Sequence, residues 1–472
     1  MCPIIPTDPK QRLASLSDML FSPQTSQDRF IEDAEKHLTF SALLQGSVLC
    51  GRGDELLGRS VLLATKGQLT TAAALIELDG VARRIVLCPP ELPTSHFPLI
   101  IAEAEIDCVV SDRDVSDLNT GGPIYFSPCT QNMEARKPRQ QPQYTTEWVL
   151  LTSGTTSLPK LVVHTLSSLC AAIQPKRELC SKIVWSTFYD IRRYGGLQIF
   201  LRAMLTGGSL VLSGHDEPLA DFLYRAGSSG VTHISGTPSH WRCALLSSAA
   251  QHLNPHYVRL SGETVDQAIL NRLRDTYPNA RIVHAFASTE AGVAFEVNDG
   301  FNGFPADVLT GTPGTATKIE NGTLRVRSVG AATRYLGTDA PPIADEYGFV
   351  DTKDIVDLRD GRYFFSGRRD GVINVGGLKV FPEEVESVIN RHPDVMMCLV
   401  RARRSPITGS VIVADVVLKC PYFAAELDTS RAQNAILNFC RERLPSHKVP
   451  AVVSIVPMLL MSGAGKLIRR NA

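Results

Sequence analysis

The sequence predicts an α/β protein whose main unit contains stacked, mostly parallel β-sheets covered by helices. Short apolar runs alternate with helix-like segments through the first 300 residues, which favours parallel strands joined by crossover helices. After residue 320, alternating polar and apolar residues indicate antiparallel strands. A chain of 472 residues is also long enough for at least two domains. The overall expectation is α/β layers followed by α+β elements.

The elements of the large unit follow from local composition. Runs rich in Val, Ile and Leu indicate buried strands, and the alanine-rich segment Gly67 to Leu78 indicates a helix. The segment from Asn132 to Tyr144 is rich in Gln, Arg and Pro and is predicted to be a surface connection. The predicted strands are 60–64, 85–88, 108–110, 148–151, 209–212, 233–235 and 281–283.

A small β-subdomain and a separate C-terminal unit are predicted after these layers. Residues 323–327 and 362–365 have the alternation of antiparallel strands. A helix is predicted to begin at Pro382, with acidic residues in its first turn and one apolar face. We therefore expect a large N-terminal domain over residues 1–368 and a small, mobile α+β domain over residues 369–472.

Composition excludes some classes of partner. Lys plus Arg equals Asp plus Glu, at 48 each, so no excess of basic charge favours nucleic acid. No run of 18 apolar residues predicts a membrane span. Eleven cysteines form no C-x-x-C pair, and the N-terminus lacks the pattern of a signal peptide. These features predict reduced thiols and a cytoplasmic location.

The loop after the predicted strand 148–151 has the composition of a phosphate-binding site. Hydroxyl and backbone N–H groups donate to anionic oxygens, and a lysine adds positive charge. It is not a Walker A motif, because no Gly-Lys-Ser/Thr is present. The loop is Thr152-Ser153-Gly154-Thr155-Thr156-Ser157-Leu158-Pro159-Lys160.

A second lysine, Lys466, lies near the end of the chain between flexible residues. Gly463 and Gly465 suit a loop that carries a lysine into a site, whereas an ordinary lysine of the chain terminus would be solvated. Together with the phosphate loop, Lys466 indicates nucleotide chemistry assembled across two domains.

Six motifs occur in an order that resembles the adenylate-forming superfamily, which includes acyl-CoA synthetases, peptide-synthetase adenylation domains and luciferases. One such motif is weak evidence, but six in order are specific. The motifs are the phosphate loop, Phe286–Glu290 (similar to Y-G-x-T-E), Thr352–Asp354 (similar to T-G-D), the hinge motif from Gly367 to Glu386, Leu444–Pro450, and Gly465–Lys466.

The resemblance implies an AMP-forming ligase that converts a carboxylic acid to an acyl-adenylate and then transfers the acyl group to a thiol. The implied cofactors are ATP, Mg²⁺ and CoA, or the phosphopantetheine of a carrier protein. The implied partners are a small-molecule carboxylic acid and CoA or an acyl carrier protein, in a monomer or homodimer. The site must supply cations and donors, because the attack on the α-phosphate brings negative charges together.

The resemblance also implies a role for each matching residue. Lys466 bridges the carboxylate and the α-phosphate, and Glu290 is the Mg²⁺ ligand beside Thr289, a donor to the α-phosphate. Asp354 and Arg368 bind the ribose. The β- and γ-phosphates are held by Thr152, Ser153, Gly154, Thr155, Thr156 and Lys160, and the adenine pocket by Gly262, Glu263, Phe286 (stacking), Ala287 and Ser288.

Ordinary structural roles compete with two of these assignments, and the motifs depart from the family pattern in places. Glu290 could cap a helix that begins near Ser288, and Asp354 could lie in a surface turn. Ser157, Ala287 and Lys353 stand where the family has glycine. None of these departures removes a charge that the chemistry needs.

A hinge at Asp370 would let the small domain present two faces. The face with Lys466 serves adenylation, and the face with Gly376, Gly377 and Lys379 serves thioester formation. Two adjacent glycines allow a pantetheine arm to pass close to the backbone, and a simple turn is the less favoured alternative.

The acyl pocket is expected around residues 187–197. An aspartate at 190 could pair with a substrate amine, or with Arg192 or Arg193, and we expect the arginine pairing. An arginine here could also pair with a second substrate carboxylate or with CoA phosphate. The predicted pocket residues are Tyr189, Asp190, Arg193, Tyr194, Gly195 and His284, and the aromatic side chains favour a small or aromatic acid.

Three functions remain open from the sequence. The first is an acid–CoA ligase for a small or aromatic carboxylate. The second is a stand-alone adenylation enzyme that loads an acyl or amino acid onto a carrier protein. The third is a regulatory nucleotide-binding protein without catalysis, which the presence of Lys466, Glu290 and Asp354 disfavours.

Overall fold

The computed structural model describes most of the chain. The described residues are 15–20, 28–122, 124–130, 132–135, 143–152, 158–174, 182–311, 314–405, 409–419, 426–463 and 465–469.

The helices and strands are numbered in chain order. The helices are α1 (Leu16–Leu20), α2 (Phe40–Gln45), α3 (Gln68–Leu78), α4 (Phe97–Glu103), α5 (Leu166–Cys170), α6 (Tyr194–Leu205), α7 (Leu219–Ser228), α8 (Pro238–Ala244), α9 (Gln267–Thr276), α10 (Pro382–Ile389) and α11 (Glu426–Arg441). The strands are β1 (Phe30–Glu32), β2 (His37–Thr39), β3 (Gly46–Ser47), β4 (Ser60–Leu63), β5 (Arg84–Leu87), β6 (Cys108–Ser111), β7 (Tyr125–Pro128), β8 (Glu134–Ala135), β9 (Glu147–Thr152), β10 (Lys160–Thr165), β11 (Val184–Thr187), β12 (Ser209–Val211), β13 (His233–Gly236), β14 (Tyr257–Ser261), β15 (Arg281–Ser288), β16 (Gly292–Val297), β17 (Phe304–Pro305), β18 (Thr315–Glu320), β19 (Thr323–Ser328), β20 (Arg334–Leu336), β21 (Val350–Arg359), β22 (Arg362–Arg368), β23 (Ile373–Val375), β24 (Leu378–Val380), β25 (Val395–Ser405), β26 (Gly409–Leu418) and β27 (Val452–Ile455).

Two large sheets form the centre of the N-terminal unit. One has eight strands in the order β16-β15-β14-β13-β11-β12-β1-β2, and the other has seven in the order β20-β10-β9-β5-β4-β6-β7. The central pairs of both sheets are parallel, and antiparallel pairs occur toward the edges. The predicted mostly parallel α/β arrangement is confirmed.

The main core includes α3, α6 and apolar side chains of both sheets. Every residue of α3 is buried, which explains its run of small alanines, because a helix enclosed on all sides needs small side chains for close packing. The helix α6 buries most of its residues and begins beside the predicted acyl pocket.

An antiparallel five-stranded sheet follows in the order β17-β22-β21-β19-β18, as the alternating patterns predict. The C-terminal unit contains β25-β26-β27 and the helices α10 and α11 around a core of its own. The domain boundary at residue 368 stays a prediction.

The C-terminal unit packs on the larger one. Met396, Met397 and Val417 form a buried cluster with Cys243 of the large unit. Asn390 donates a hydrogen bond to Asp266 across the same junction, at 3.2 Å. These contacts hold the end of α10 and the strands β25 and β26 against the large unit.

Three smaller expectations can be compared with the structure. The segment 132–144, predicted to be a surface connection, contains the short strand β8, which pairs with β3. Two residues of extended backbone are enough to form this pairing. No described helix has both the length and the apolar character needed to cross a bilayer. The cysteines within the described residues are free thiols, and most are buried.

Candidate active site

Two parallel strands place the predicted nucleotide motifs at one edge of the eight-stranded sheet. β14 ends at Ser261 and β15 ends at Ser288, and the turns that follow carry Gly262 and Glu290. Because the carboxyl ends of parallel strands meet at the same edge, these turns line one cleft. The structure therefore brings the two motifs together.

The turn containing Thr289 and Glu290 joins β15 to β16, so the alternative that Glu290 caps a helix is wrong. Its backbone is fixed on several sides. The Ser288 hydroxyl accepts a hydrogen bond from the Ala291 N–H at 3.0 Å, and His164 Nε2 lies 2.7 Å from the Thr289 carbonyl oxygen. Burial lowers the pKa of His164 to about 4, so the neutral imidazole donates to that oxygen.

Tyr335 links the Glu290 carboxylate to Lys160. Its hydroxyl donates to Glu290 at 3.2 Å, and the Lys160 ammonium lies 5.0 Å from the centre of its ring. Such a distance is typical of a cation–π contact. The contact places the lysine of the phosphate loop near the predicted Mg²⁺ ligand.

The phosphate loop connects two antiparallel strands. Thr152 ends β9 and pairs in register with Lys160, the first residue of β10. The predicted phosphate ligands between them, Ser153, Gly154, Thr155 and Thr156, lie outside the described residues.

Asp354 and Arg368 lie opposite each other on β21 and β22. Asp354 is half-buried within a strand, so the alternative of a surface turn is wrong. Burial raises the pKa of Asp354 to about 6, although Arg368 and Lys466 act in the opposite direction. A carboxylate in this position can accept hydrogen bonds from two hydroxyl groups.

Lys466 enters the cleft on a loop that the large unit holds. The Thr237 hydroxyl donates to the Gly465 carbonyl oxygen at 2.7 Å, and the Leu467 N–H donates to Glu263 at 3.2 Å. Gly465 has φ +68°, and a Cβ there would overlap the His240 ring. The glycine is therefore required by close packing as well as by backbone conformation.

The charges around Lys466 belong to several predicted motifs. Surrounding protein lowers the pKa of Lys466 by desolvation, and Glu263 opposes this most strongly, with smaller opposition from Asp354 and Glu290. Arg368 also lowers the pKa. The side chain itself is exposed to solvent in the cleft. The structure thus gathers residues predicted for the ribose, Mg²⁺ and adenine sites around one ammonium group.

Glu263 makes contacts that the sequence interpretation did not anticipate. Its carboxylate accepts hydrogen bonds from the Ser239 N–H at 3.0 Å and from the Leu467 N–H. It therefore joins the start of α8 to the Lys466 loop, whereas the sequence placed it in the adenine wall. Gly262, with φ +87°, stays exposed at the turn.

Phe286 is surrounded by other aromatic rings. Its centre lies 5.2 Å from that of Phe365 with nearly parallel planes, and 5.7 Å from that of Phe295. Ala287, beside it on β15, is half-buried against the main core. Adenine stacking on Phe286 stays a prediction, and the contacts present favour a structural role for much of the ring.

His284 of β15 contacts the segment between β16 and β17. Its Nε2 lies 2.9 Å from the Phe301 carbonyl oxygen, and Asp299 and Arg362 are its charged neighbours. The assignment of His284 to the acyl pocket stays a prediction.

Asp190 forms a close ion pair with Arg192, as expected. Arg192 Nε donates to Asp190 at 2.7 Å, and its terminal nitrogen binds the second carboxylate oxygen. Burial alone would raise the pKa of Asp190, but Arg192 outweighs it and holds the pKa below its ordinary value. Arg193 pairs instead with Glu91. Neither predicted charge is left free for a substrate.

The aromatic residues of this segment define the start of α6. Tyr189 is buried, and its hydroxyl donates to the Ser261 carbonyl oxygen at 2.6 Å. Gly195 packs closely against the Tyr189 ring, so even a Cβ at position 195 would make a tight contact with that ring. Tyr194 is buried within the main core. Tyr189 is thus a predicted pocket residue that contacts the end of β14, at the cleft.

The residues of the predicted hinge and thioester face are exposed to solvent. Asp370 is exposed and forms an ion pair with Lys353 at 3.1 Å. Gly376 and Gly377 have φ values of +57° and +85° and form the two-residue turn between β23 and β24, as in a type I′ hairpin. Lys379 is exposed on the same hairpin. In this orientation Lys466 occupies the cleft and the hairpin faces solvent.

The donor set fits a nucleotide and a magnesium ion. Within the described residues no cluster of three or more His, Cys, Asp or Glu could hold a metal by itself. Mg²⁺ commonly takes one or two carboxylates together with phosphate oxygens, and Glu290 is a single carboxylate beside Lys160. Glu290 is therefore suited to a cation that arrives with a phosphate group.

Several contacts had no clear signal in the sequence. His164 and Tyr335 support the Thr289–Glu290 turn, and Thr237 and His240 hold Gly465. Each is an ordinary residue within a helix, strand or cap, and long-range folding alone gives it these partners.

Comparisons with known proteins agree with this geometry. A family model described as AMP-binding enzyme matches residues 82–332, and one described as AMP-binding enzyme C-terminal domain matches residues 384–466. The chain is 27% identical over 449 residues to the 2-succinylbenzoate–CoA ligase of Salmonella typhimurium, covering 91% of this chain and 92% of the relative. It is 23% identical over 436 residues to a human mitochondrial acyl-coenzyme A synthetase, covering 85% and 71%.

Solved structures show the same fold. An anthranilate CoA ligase, AuaEII, in complex with anthranoyl-AMP has a TM-score of 0.78 and 18% identity, covering 97% of this chain and 96% of that one. The o-succinylbenzoate CoA synthetase of Bacillus subtilis, in complex with the acyl-adenylate OSB-AMP, has a TM-score of 0.72 and 18% identity, covering 97% and 98%.

Proposed function

The chain belongs to the AMP-binding enzyme family, and we propose that it activates a small or aromatic carboxylic acid and transfers the acyl group to coenzyme A. The resemblance to adenylate-forming enzymes is confirmed, and the chain is an AMP-forming acid–thiol ligase. The relatives named above are CoA ligases, which supports CoA as the acceptor.

The observation that carries this proposal is the position of Lys466. The Thr237–Gly465 and Glu263–Leu467 hydrogen bonds hold its loop in the cleft. A cation here neutralises charge while a carboxylate oxygen attacks the α-phosphorus of ATP. The new O–P bond forms as the bond to the β-phosphate breaks, and pyrophosphate leaves.

The remaining residues bind and orient. Lys160 attracts the outer phosphates, and Asp354 accepts hydrogen bonds from the ribose hydroxyls. Bound beside Glu290, Mg²⁺ would offset the charge of the phosphates. Thr289 is fixed by His164 and offers its hydroxyl to the α-phosphate.

The second half-reaction would use the other face of the small domain. Rotation about Asp370 would withdraw Lys466 and bring the hairpin of Gly376, Gly377 and Lys379 to the cleft. The CoA thiol loses its proton to solvent, and its sulfur attacks the acyl carbon. A C–S bond forms, the bond between the acyl carbon and the phosphate oxygen breaks, and AMP leaves with that electron pair.

Loading of an amino acid onto a carrier protein is the second candidate. The Asp190–Arg192 pair disfavours it, because a carboxylate already bound to arginine through both oxygens is a poor partner for a substrate amine. A carrier that accepts simple acyl groups remains compatible with the same cleft.

Pyrophosphate release over a panel of carboxylic and amino acids, with CoA or a phosphopantetheinyl carrier as acceptor, tests the proposal. We expect plain acids to drive release and CoA to appear in the thioester product. Lys466→Ala serves as the inactive control. Turnover of amino acids with a carrier alone would favour the second candidate.

A further inference from the structure

The loop that carries Lys466 is followed by an arginine that binds a helix of the C-terminal unit. Arg469 donates to Glu383 at 2.7 Å and to Glu386 at 2.8 Å, through its two terminal nitrogens. Both carboxylates belong to α10 and are three residues apart, so they are neighbours on one face of the helix. Arg469 therefore ties the chain just after Lys466 to the first helix that follows the predicted hinge.

The two arms of the Lys466 loop pair with each other. The Ile468 N–H donates to the Leu460 carbonyl oxygen at 3.0 Å. Closer to the tip, the Ser462 N–H donates to the Lys466 carbonyl oxygen at 2.8 Å. Arg469 follows Ile468 directly, so its ion pairs act on the end of a paired segment. A displacement of Arg469 is therefore transmitted to Lys466.

The carboxylate of Glu386 is itself anchored in the C-terminal unit. One of its oxygens binds Arg469, and the other accepts a hydrogen bond from the Val400 N–H of β25 at 2.8 Å. Burial raises the pKa of Glu386 to about 7, and Arg469 acts in the opposite direction. The arginine therefore favours the ionised carboxylate, which is the stronger hydrogen-bond acceptor.

These ion pairs are partly shielded from solvent. The side chains of Arg469, Glu383 and Glu386 are 29%, 20% and 12% exposed. An ion pair on the open surface contributes little, whereas removing one partner of a shielded pair leaves a charge without compensation. The contacts of Arg469 are therefore strong enough to fix the end of the loop.

The Lys466 loop is thus held from two sides. Two bonds to the large unit hold the residues directly before and after Lys466. Arg469 holds the same loop to α10, within the C-terminal unit. In the proposed rotation the bonds to the large unit break, and the ion pairs of Arg469 can persist because both partners move together. Arg469 is therefore placed to keep Lys466 in a fixed position relative to α10.

We infer that Arg469 is a positioning residue for adenylation, whose ion pairs with Glu383 and Glu386 hold Lys466 in place. In this role Arg469 acts through Lys466 and not by contact with the reactants. The inference rests on the proposed function, in which Lys466 neutralises charge at the α-phosphate, and it adds the residue that fixes this cation to the C-terminal unit.

The variant Arg469→Met removes the charge and keeps much of the side-chain length. With the fastest acid of the panel, kcat for pyrophosphate release should fall by about 10-fold, and the KM for ATP should hardly change, because the predicted nucleotide ligands are left intact. Thioester formation from that acid's pre-made adenylate should keep its rate. Arg469→Lys retains a charge without the fork geometry and should recover part of the loss. Equal losses in both half-reactions, or wild-type adenylation in Arg469→Met, would overturn the inference.

A Lys466→Ala background separates positioning from general damage. If Arg469 acts through Lys466, adding Arg469→Met to this variant should lower the residual adenylation rate by less than about 2-fold. A loss as large as that in the wild-type background would show that Arg469 acts independently of Lys466 and would contradict the inference. Arg443→Met, which removes an exposed ion pair with Glu442 in the same unit, is the matched control and should leave both half-reactions unchanged.

Amide hydrogen exchange of the full chain without substrates gives a readout that does not depend on activity. In Arg469→Met the amides of Ser462 and Ile468 should exchange about 10-fold faster than in the wild type, while those of β26 should not change. Unchanged exchange at Ser462 and Ile468 would overturn this inference and leave the proposed ligase activity standing. Absence of pyrophosphate release by the wild type with every acid would instead count against the proposed function.

Discussion

Glu263 and Leu467 are 204 positions apart, yet the Leu467 backbone N–H donates to the Glu263 carboxylate at 3.2 Å. The residue before Leu467 is Lys466, so this bond, with the Thr237–Gly465 bond, sets the position of the lysine in the cleft. These two bonds therefore hold the Lys466 loop against the large unit, in the orientation that we propose for adenylation.

Removing this acceptor should weaken the docked orientation. Glu263→Ala loses the bonds to Ser239 and Leu467, of which only the second joins the large unit to the Lys466 loop. A hydrogen bond to a charged group is worth about 1.5 kcal/mol, so we expect adenylation to slow by about 10-fold. Pyrophosphate release measures the first step, and thioester formation from pre-made acyl-adenylate measures the second. The second rate should hold, and an equal fall in both would indicate general damage to the fold.

Lys466→Ala and Lys379→Ala should act on different half-reactions. The first removes the cation needed while the carboxylate meets the α-phosphate, so adenylation should fall by at least about 1000-fold and thioester formation from acyl-adenylate should persist. The second alters the exposed hairpin and should show the opposite pattern. If both variants affect the same step, the two-face arrangement is wrong.

Asp370→Pro should impair thioester formation and spare adenylation, because it restricts the backbone at the predicted hinge. Proline fixes φ, whereas a hinge must change its torsion angles, so adenylation should survive and the overall rate of thioester formation should fall by at least about 10-fold. Lys353→Gly is the matched control, because it removes only the exposed ion pair with Asp370. A normal overall rate in Asp370→Pro would place the hinge elsewhere.

Nucleotide binding should weaken in acid. The pKa of Asp354 is raised by burial from 3.8 to about 6, and only the ionised carboxylate accepts two ribose hydrogen bonds. The KM for ATP should therefore rise as the pH falls below about 6. Asp354→Asn should raise the KM by about 10-fold at neutral pH and remove this pH dependence.

The same carboxyl group predicts the direction of a stability effect. The folded protein holds the Asp354 proton more tightly than the unfolded chain, so this residue's contribution to stability is greatest at low pH and falls as the pH rises from 3.8 to about 6. Denaturant unfolding of wild type and Asp354→Asn across that window measures the difference. If the KM of the wild type for ATP does not change between pH 5 and 7.5, then Asp354 does not titrate in the ribose site.

Glu290→Gln should raise the Mg²⁺ concentration needed for adenylation. The amide keeps the shape of the side chain and its bond to Tyr335 but carries no charge to hold the cation beside the phosphates. We expect about a 10-fold rise in the half-saturating Mg²⁺ concentration, with partial recovery of the rate at high Mg²⁺. Tyr335→Phe is the control. If Glu290→Gln has the same Mg²⁺ dependence as the wild type, Glu290 has a structural role only.

Local pattern determined much of the fold from the sequence alone. Two kinds of feature were readable over a few residues: the apolar runs of β4, β5, β6 and β9, and the acidic first turn of α10. A strand buried on both faces needs consecutive apolar residues, and the helix dipole favours acidic residues in the first turn. Motif order likewise identified the family, because the phosphate loop and the Lys466 loop have distinctive composition.

Only the tertiary structure decided which side chains meet. Asp190 could have faced a substrate or Arg192, and nothing in the spacing identified the hydrogen-bond partner of His284. Tertiary packing pairs Asp190 with Arg192, places the His284 ring within hydrogen-bond distance of the Phe301 carbonyl oxygen, and brings Arg202 near Arg259. Pairing of charges over long sequence separations depends on sheet register and helix packing, which local composition does not contain.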